Sequence, residues 1–162
     1  KVRSLRYFGF NQNGEIPQIG TNAKMTELNA AVGLCCLDSI DEILEKRSSI
    51  AGEYRKKIRS IEGVISLEYK EEGHSTNNLY YPILADSPSK AEQIMSHMEE
   101  CGIICRRYFH PSMSELDIFG RWHCPISEDV SSRVICLPIH TSMGKNDARR
   151  IMQELTRICQ EG

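Results

Sequence analysis

Apolar residues recur at three- and four-residue steps through Leu28, Ala31, Val32, Cys35 and Cys36, and Thr26 stands just ahead of them as a helix-capping residue. Ser39-Ile40-Asp41-Glu42 then reads as a capping box, which predicts a second helix from that point. Its apolar stripe is Ile40, Ile43, Leu44, Arg47, Ile50, Ala51, Tyr54, Ile58 and Ile61, with the aliphatic stem of Arg47 suited to lie along the packing face. Gly52 costs about 1 kcal/mol in a helix interior, so tertiary packing has to hold this helix. Two consecutive amphipathic helices predict a long arm that grips another domain or subunit.

From residue 62 the pattern changes. Val64–Leu67 and Leu79–Leu84 read as strands, and Pro82 marks the second as an edge strand or an irregular one. Lys70–Asn78 is a polar connection between them. Pro88-Ser89-Lys90-Ala91-Glu92 reads as another capping box, opening a helix that ends near Gly102. Ile103–Tyr108 and Ser132–Leu137 follow as strands, the latter stopped by Pro138, and Ala148–Cys159 is a closing amphipathic helix. The fold class is therefore α+β, a short, mostly antiparallel sheet covered on one face by helices. Ahead of the arm, Lys1–Phe10 is basic and aromatic and Asn11–Gly20 is rich in turn residues. This opening reads as the tail of a preceding domain, so the chain is expected to be a piece of a longer protein.

Composition narrows the classes. Net charge is -2 over 162 residues, which gives a nucleic-acid surface no global electrostatic support. No apolar run approaches the ~20 residues of a membrane span, and no apolar stretch follows the basic opening as a signal peptide requires. Cysteines number 7, an odd count without a C-x-x-C pair, which favours reduced thiols and a cytoplasmic setting over a disulfide framework. A metal reading would gather Cys101, Cys105, His110, His123 and Cys124, but these lack regular ligand spacing.

Generic motif scans add little. Ser87-Pro88-Ser89-Lys90 and Ser142-Met143-Gly144-Lys145 match S-x-x-K without its companion triplets, and we reject both. His97 sits among polar helix neighbours and reads as solvated, whereas His110 and His140 lie beside prolines in loops that can reach a ligand. Two segments are more informative. Gly20-Thr21-Asn22-Ala23-Lys24 delivers an amide and an amine just ahead of a helix, a donor set that suits a phosphate. Spacing alone favours Asn22 as a turn residue and Lys24 as a solvated charge. Arg106-Arg107-Tyr108-Phe109-His110-Pro111 places guanidinium groups and rings at a strand end, suited to a charged or cyclic ligand, or else to an ordinary half-buried edge. Strand alternation sends Arg106 and Tyr108 to one side and Arg107 and Phe109 to the other.

The first segment continues as G-x-N-x-K-M-x-E-x-x-A-A-x-G-L, followed by Leu37-Asp38, Lys46-Arg47 and Ile50-Ala51-x-x-Tyr54. With Arg3-x-Leu5-Arg6-x-x-Gly9-Phe10, Arg106-Arg107-Tyr108-Phe109-x-Pro111 and Cys136-Leu137-Pro138-Ile139, this resembles the DegT/DnrJ/EryC1/StrS family of pyridoxal-phosphate (PLP) sugar aminotransferases. The resemblance implies the small domain of a fold-type I transferase that works as a homodimer. Such an enzyme takes an amine from a donor, commonly glutamate, and gives it to a keto-sugar nucleotide. It implies that Asn22 and Lys24 meet the phosphate of the neighbouring subunit's PLP, and that Tyr108, His110 and Arg107 line the sugar-nucleotide side. It divides the chain into the tail of a large PLP-binding domain with its connecting loop (1–24), a helical arm (25–61) and a C-terminal α+β domain (62–162). The lysine that holds PLP belongs to the segment preceding Lys1, so this polypeptide alone is expected not to transaminate. Without its usual cover the arm, through Ile40, Ile43, Leu44, Ile50 and Tyr54, is expected to self-associate. The alternative is a non-catalytic binding or regulatory module with the same fold.

Overall fold

Three short strands, β1 (Val64–Ser66), β2 (Tyr81–Ala85) and β3 (Val134–Leu137), pair antiparallel in the order β1-β2-β3. The registers set Val64 against Ala85, and Tyr81 against Leu137. The computed structural model describes residues 1–67 and 76–160, so most of the connection predicted over Lys70–Asn78 lies outside the described residues. The helices are α1 (Val2–Leu5), α2 (Glu27–Asp38), α3 (Ile40–Ile58), α4 (Pro88–Glu100), α5 (Pro125–Arg133) and α6 (Lys145–Gln160). The chain divides into two compact units, Lys1–Asp41 and Glu42–Gly162.

In the second unit, alternate residues of the sheet (Tyr81, Ile83, Ala85, Ile135, Leu137) share one buried cluster with Ile50, Tyr54 and Ile58 of α3. Ile94 and Met98 of α4 and Ile151, Met152 and Leu155 of α6 complete it. Burying each such side chain stabilises the fold by roughly 1.5–3 kcal/mol, against about 1 kcal/mol for a typical hydrogen bond, so packing dominates here. Leu84, Val134 and Cys136, which point the other way, are buried too, and α5 also approaches β2. The stripe predicted for α3 is therefore real, but its C-terminal half is core of this same chain. Ile50 and Tyr54 are 2% and 0% exposed, so neither is available as an external adhesive patch.

Several local expectations are corrected. β2 is the central strand, not an edge, despite Pro82. Leu67 donates its N–H to the Pro82 carbonyl at 3.1 Å, and β1 ends where proline cannot return a bond. Toward β3, Pro82 faces Cys136, whose own N–H and C=O turn away to Arg106 at 2.7 and 3.1 Å. The cap of α4 is Ser87, which accepts from the Lys90 N–H at 3.1 Å, rather than Ser89. Ser39 ends α2 and bonds back to the Cys36 carbonyl.

Gly102 closes α4 in a left-handed conformation (φ 70°), with Ile103 N–H on the Met98 carbonyl and Gly102 N–H on that of Glu99. The strand predicted over Ile103–Tyr108 reduces to a single bridge between Arg106 and Cys136. Ser132 and Arg133 belong to α5, which sequence periodicity missed because Ile126 is exposed and no apolar stripe marks the helix.

Glu53 joins α3 to α6. Its buried carboxylate accepts from Lys56 at 2.5 Å and from Arg149 at 2.8 Å, and these bonds, Lys56 first, hold its pKa below the ordinary glutamate value. A depressed folded-state pKa gives stability that is complete above the unfolded value of about 4.3 and is lost as pH falls through the lower folded value. Urea midpoints measured against pH should show this acid loss in the wild type. The loss should shrink in Glu53→Gln, which should also be less stable near neutrality.

Candidate functional site

The first unit is a knotted turn built on two glycines. Phe8 N–H bonds the Thr21 carbonyl at 3.1 Å, Thr21 N–H the Leu5 carbonyl at 2.8 Å and Ala23 N–H the Arg6 carbonyl at 2.9 Å, pairing Tyr7 with Asn22. The backbones approach so closely that a Cβ on Gly20 would lie 2.1 Å from the Gly9 nitrogen, and one on Gly9 2.0 Å from the Gln18 carbonyl oxygen. Gly9 also has φ 90°, which only glycine adopts without strain. Ser4 adds a side-chain tie, donating to the Gly9 carbonyl at 2.8 Å and accepting from Gln18 at 3.0 Å. Asn11 closes the outer loop by accepting from the N–H groups of Asn13 and Glu15.

This framework presents Asn22 and Lys24 at the surface, where both are exposed. The Lys24 ammonium stands 5.1 Å from the Tyr7 ring centre and 5.4 Å from that of Phe8. Cation–π contacts of this kind hold a cation in place at about 0.5–1 kcal/mol without neutralising it. Thr26 then starts α2 by accepting from the Asn29 N–H at 3.3 Å. An amide donor and an ammonium are thus set just ahead of a capped helix, as the sequence predicts. No residue of α2 is buried, and Leu28, Val32, Leu34 and Leu37 are all exposed. Its apolar residues run around the helix rather than along one stripe.

In the second unit the structure sets Arg107 and His110 against Ser131 of α5, while Tyr108 lines hollows on the surface of the segment. Tyr108 lines a pocket of about 550 Å³ together with Tyr80, Arg106, His140 and Arg150. Its ring lies 4.7 Å from that of Tyr80, and Arg106 donates to its hydroxyl. Arg107 points to the opposite side, as alternation predicts, and donates to the Ser131 carbonyl at 3.1 Å and to the Ser132 carbonyl. These are carbonyls of the last turn of α5, where a cation is favourable. Burial lowers the Arg107 pKa, opposed by the charge of Glu92, and its buried Nε has no hydrogen-bond partner among the described residues. His110 sits beside Ser131, Nδ1 to Oγ at 3.5 Å, while Ser131 donates to the Phe109 carbonyl at 2.7 Å.

Tyr80 and Arg150 were missed because one reads as the start of a strand and the other as an exposed helix position. A second hollow beside this segment is lined by Phe109, Met113, Trp122, Ile126 and Val130. Behind it, Glu128 accepts from the Cys124 N–H at 2.8 Å and from Ser114 at 3.0 Å, which lowers its pKa and fixes the start of α5.

The cysteines and histidines that the sequence offers poorly as metal ligands are unalike in setting: Cys105 is buried, with its thiol pushed up to about 12 by burial, while Cys124 is exposed. Among the described residues the cluster able to hold a metal is His97, Cys101 and Glu154. His97 is thus not merely solvated, and pairs with Glu154 at 3.0 Å.

The fold is that of the small-domain half of PLP-dependent sugar aminotransferases. The family model for the DegT/DnrJ/EryC1/StrS aminotransferases matches residues 1–156, and the chain belongs to that family. It is 30% identical to the dTDP-4-amino-4,6-dideoxy-D-glucose transaminase of Shigella dysenteriae, across 98% of this chain and 44% of that protein. It is 26% identical to the GDP-perosamine synthase of Caulobacter vibrioides, across 98% and 44%. Among solved structures, DesI in the presence of its TDP-sugar product shares 30% identity at a TM-score of 0.84, covering 99% of this chain and 42% of that one. The chain therefore spans a little under half the length of the curated relatives it matches.

Gly20→Ala should open the turn that carries Asn22. Hydrogen exchange at the Phe8, Thr21 and Ala23 amides should accelerate in this variant, while exchange in β2 and β3 stays as in the wild type.

Proposed function

We propose that the full-length protein is a PLP-dependent aminotransferase that moves an amine from an amino-acid donor, glutamate by preference, to a keto-sugar nucleotide. The observation that carries this reading is the exposed Asn22 and Lys24 pair on a turn too tight to deform. A phosphate dianion fits such a set, an amide donor beside a cation whose charge the Tyr7 and Phe8 rings leave intact. When bound, PLP supplies the electron sink that lets an amino group change carriers. The role of this chain is to hold and orient. Asn22 and Lys24 would fix the phosphate of a neighbouring subunit's cofactor, and the lysine that carries PLP would lie in a segment before Lys1. On that reading residues 1–24 belong to the large domain, 25–61 form the arm, 62–162 form the small domain, and the chain by itself is inactive.

The exposed apolar surface of α2 supports a homodimer, since a helix that is apolar all round is stable only when covered. Tyr108 and His110 would face the sugar nucleotide, the phenol ring offering a flat apolar surface and a hydroxyl, and Arg107 would act by fixing the path of that segment. Free thiols at all seven cysteines suit a cytoplasmic enzyme. Among the described residues no helix is long and apolar enough to cross a membrane. Relatives that are transaminases by name, in Shigella dysenteriae and Escherichia coli, do not favour the non-catalytic alternative.

The test is to incubate the full-length protein with PLP, glutamate and a 4-keto-6-deoxy sugar nucleotide and to follow 2-oxoglutarate against aminosugar. Equal yields are expected, and no transfer with any keto-sugar nucleotide would sink the assignment. Asn22→Ala should weaken PLP retention about 10- to 100-fold, the loss of one charge-assisted hydrogen bond, as read by dialysis and absorbance. Tyr108→Ala should raise KM for the sugar nucleotide while leaving KM for glutamate near its wild-type value.

A further inference from the structure

The geometry points to a zinc site formed by His97 and Cys101 of α4 with Glu154 of α6, outside the turn and the pocket described above. His97 Nε2 and Glu154 Oε2 are 3.0 Å apart, Cys101 Sγ and Glu154 Oε2 3.5 Å, and Cys101 Sγ and His97 Nε2 3.7 Å. Zinc bonds of about 2.3 Å to sulfur and about 2.0–2.2 Å to nitrogen and oxygen, at tetrahedral angles, require ligand separations of about 3.3–3.6 Å. The three atoms already form nearly such a triangle, so a cation placed off its plane would meet all three with shifts of a few tenths of an ångström.

The backbone explains why. His97 and Cys101 are one helical turn apart and lie on one face of α4. α6 packs against that face through Met98, Met152 and Leu155, which brings Glu154 to the same spot. The side chains of His97 and Glu154 are 15% and 24% exposed, so the cluster is held by packing yet open to solvent for an ion and a fourth ligand, water. Two cations stand near, Arg150 and Arg157, and Arg150 donates its guanidinium to the Cys101 carbonyl at 2.6 Å rather than to the ligand atoms.

A thiolate, an imidazole and a carboxylate select zinc over magnesium or calcium, which want oxygen alone. Binding exchanges the Cys101 thiol proton, released to solvent, for the metal, and the thiolate and carboxylate together balance its double charge. Three protein ligands and one water cross-link α4 to α6 on the helical side of the sheet.

The test uses zinc itself on chelator-treated full-length protein. Equilibrium competition with a chromogenic chelator should give a site that Cys101→Ser abolishes. His97→Ala and Glu154→Gln should weaken it by more than about 100-fold, beyond what loss of an outer-shell partner costs. X-ray absorption at the zinc edge should show one sulfur at about 2.3 Å and lighter ligands at about 2.0–2.2 Å. Glu154→Gln keeps size and hydrogen-bonding capacity, so it separates lost ligation from lost folding. Replacing the exposed Cys35, Cys36 and Cys124 by serine should leave binding unchanged. Binding that survives Cys101→Ser, a zinc shell with two sulfurs or none, or no zinc retained against the chelator would overturn the proposal.

Discussion

The α+β unit depends on how Tyr54 is seated. Its ring lies 4.9 Å from that of Tyr81 in the middle strand, it is wholly buried, and its hydroxyl donates to the Pro138 carbonyl at 2.5 Å. One side chain therefore fixes α3 against β2 and also sets where the chain leaves β3. The segment after Pro138 carries Ile139, His140 and Met143 to the rim of the aromatic pocket. Helix packing and pocket shape are coupled through that contact. Desolvation raises the phenol pKa well above its usual value, so the hydroxyl stays a donor at any physiological pH.

The first unit obeys a different constraint. It has little buried apolar surface, and its form comes from main-chain bonds that only two glycines permit. Such a turn resists deformation without a core, and it leaves Asn22 and Lys24 at the surface. α2 follows with no buried residue, so its order within a larger assembly would come from surfaces that cover it.

What the sequence made legible follows from this physics. α3, α4 and α6 were readable because each lays a periodic apolar stripe on the sheet, and Thr26 because capping is local chemistry. Pro82 misled because its missing N–H falls where β1 has already stopped, a fact of register rather than of sequence. α5 left no signal because Glu128 and the Cys124 amide define its start while Ile126 faces solvent. Of the candidate site, the exposed placement of Asn22 and Lys24 ahead of a capped helix was readable from the turn residues and Thr26. Alternation also foretold that Arg107 and Tyr108 part to opposite sides, but not what Arg107 grips, since that depends on the carbonyls of a helix end 24 residues away.

That anchoring has an evolutionary implication. Because the Arg107 guanidinium grips main-chain oxygens rather than side chains, the path of the loop from Tyr108 onward is insulated from the identity of its outward residues. Phe109, Met113 and Trp122 can be exchanged one by one without rethreading the backbone beneath them. A scaffold with this division of labour can change the surface it offers while its architecture stays put.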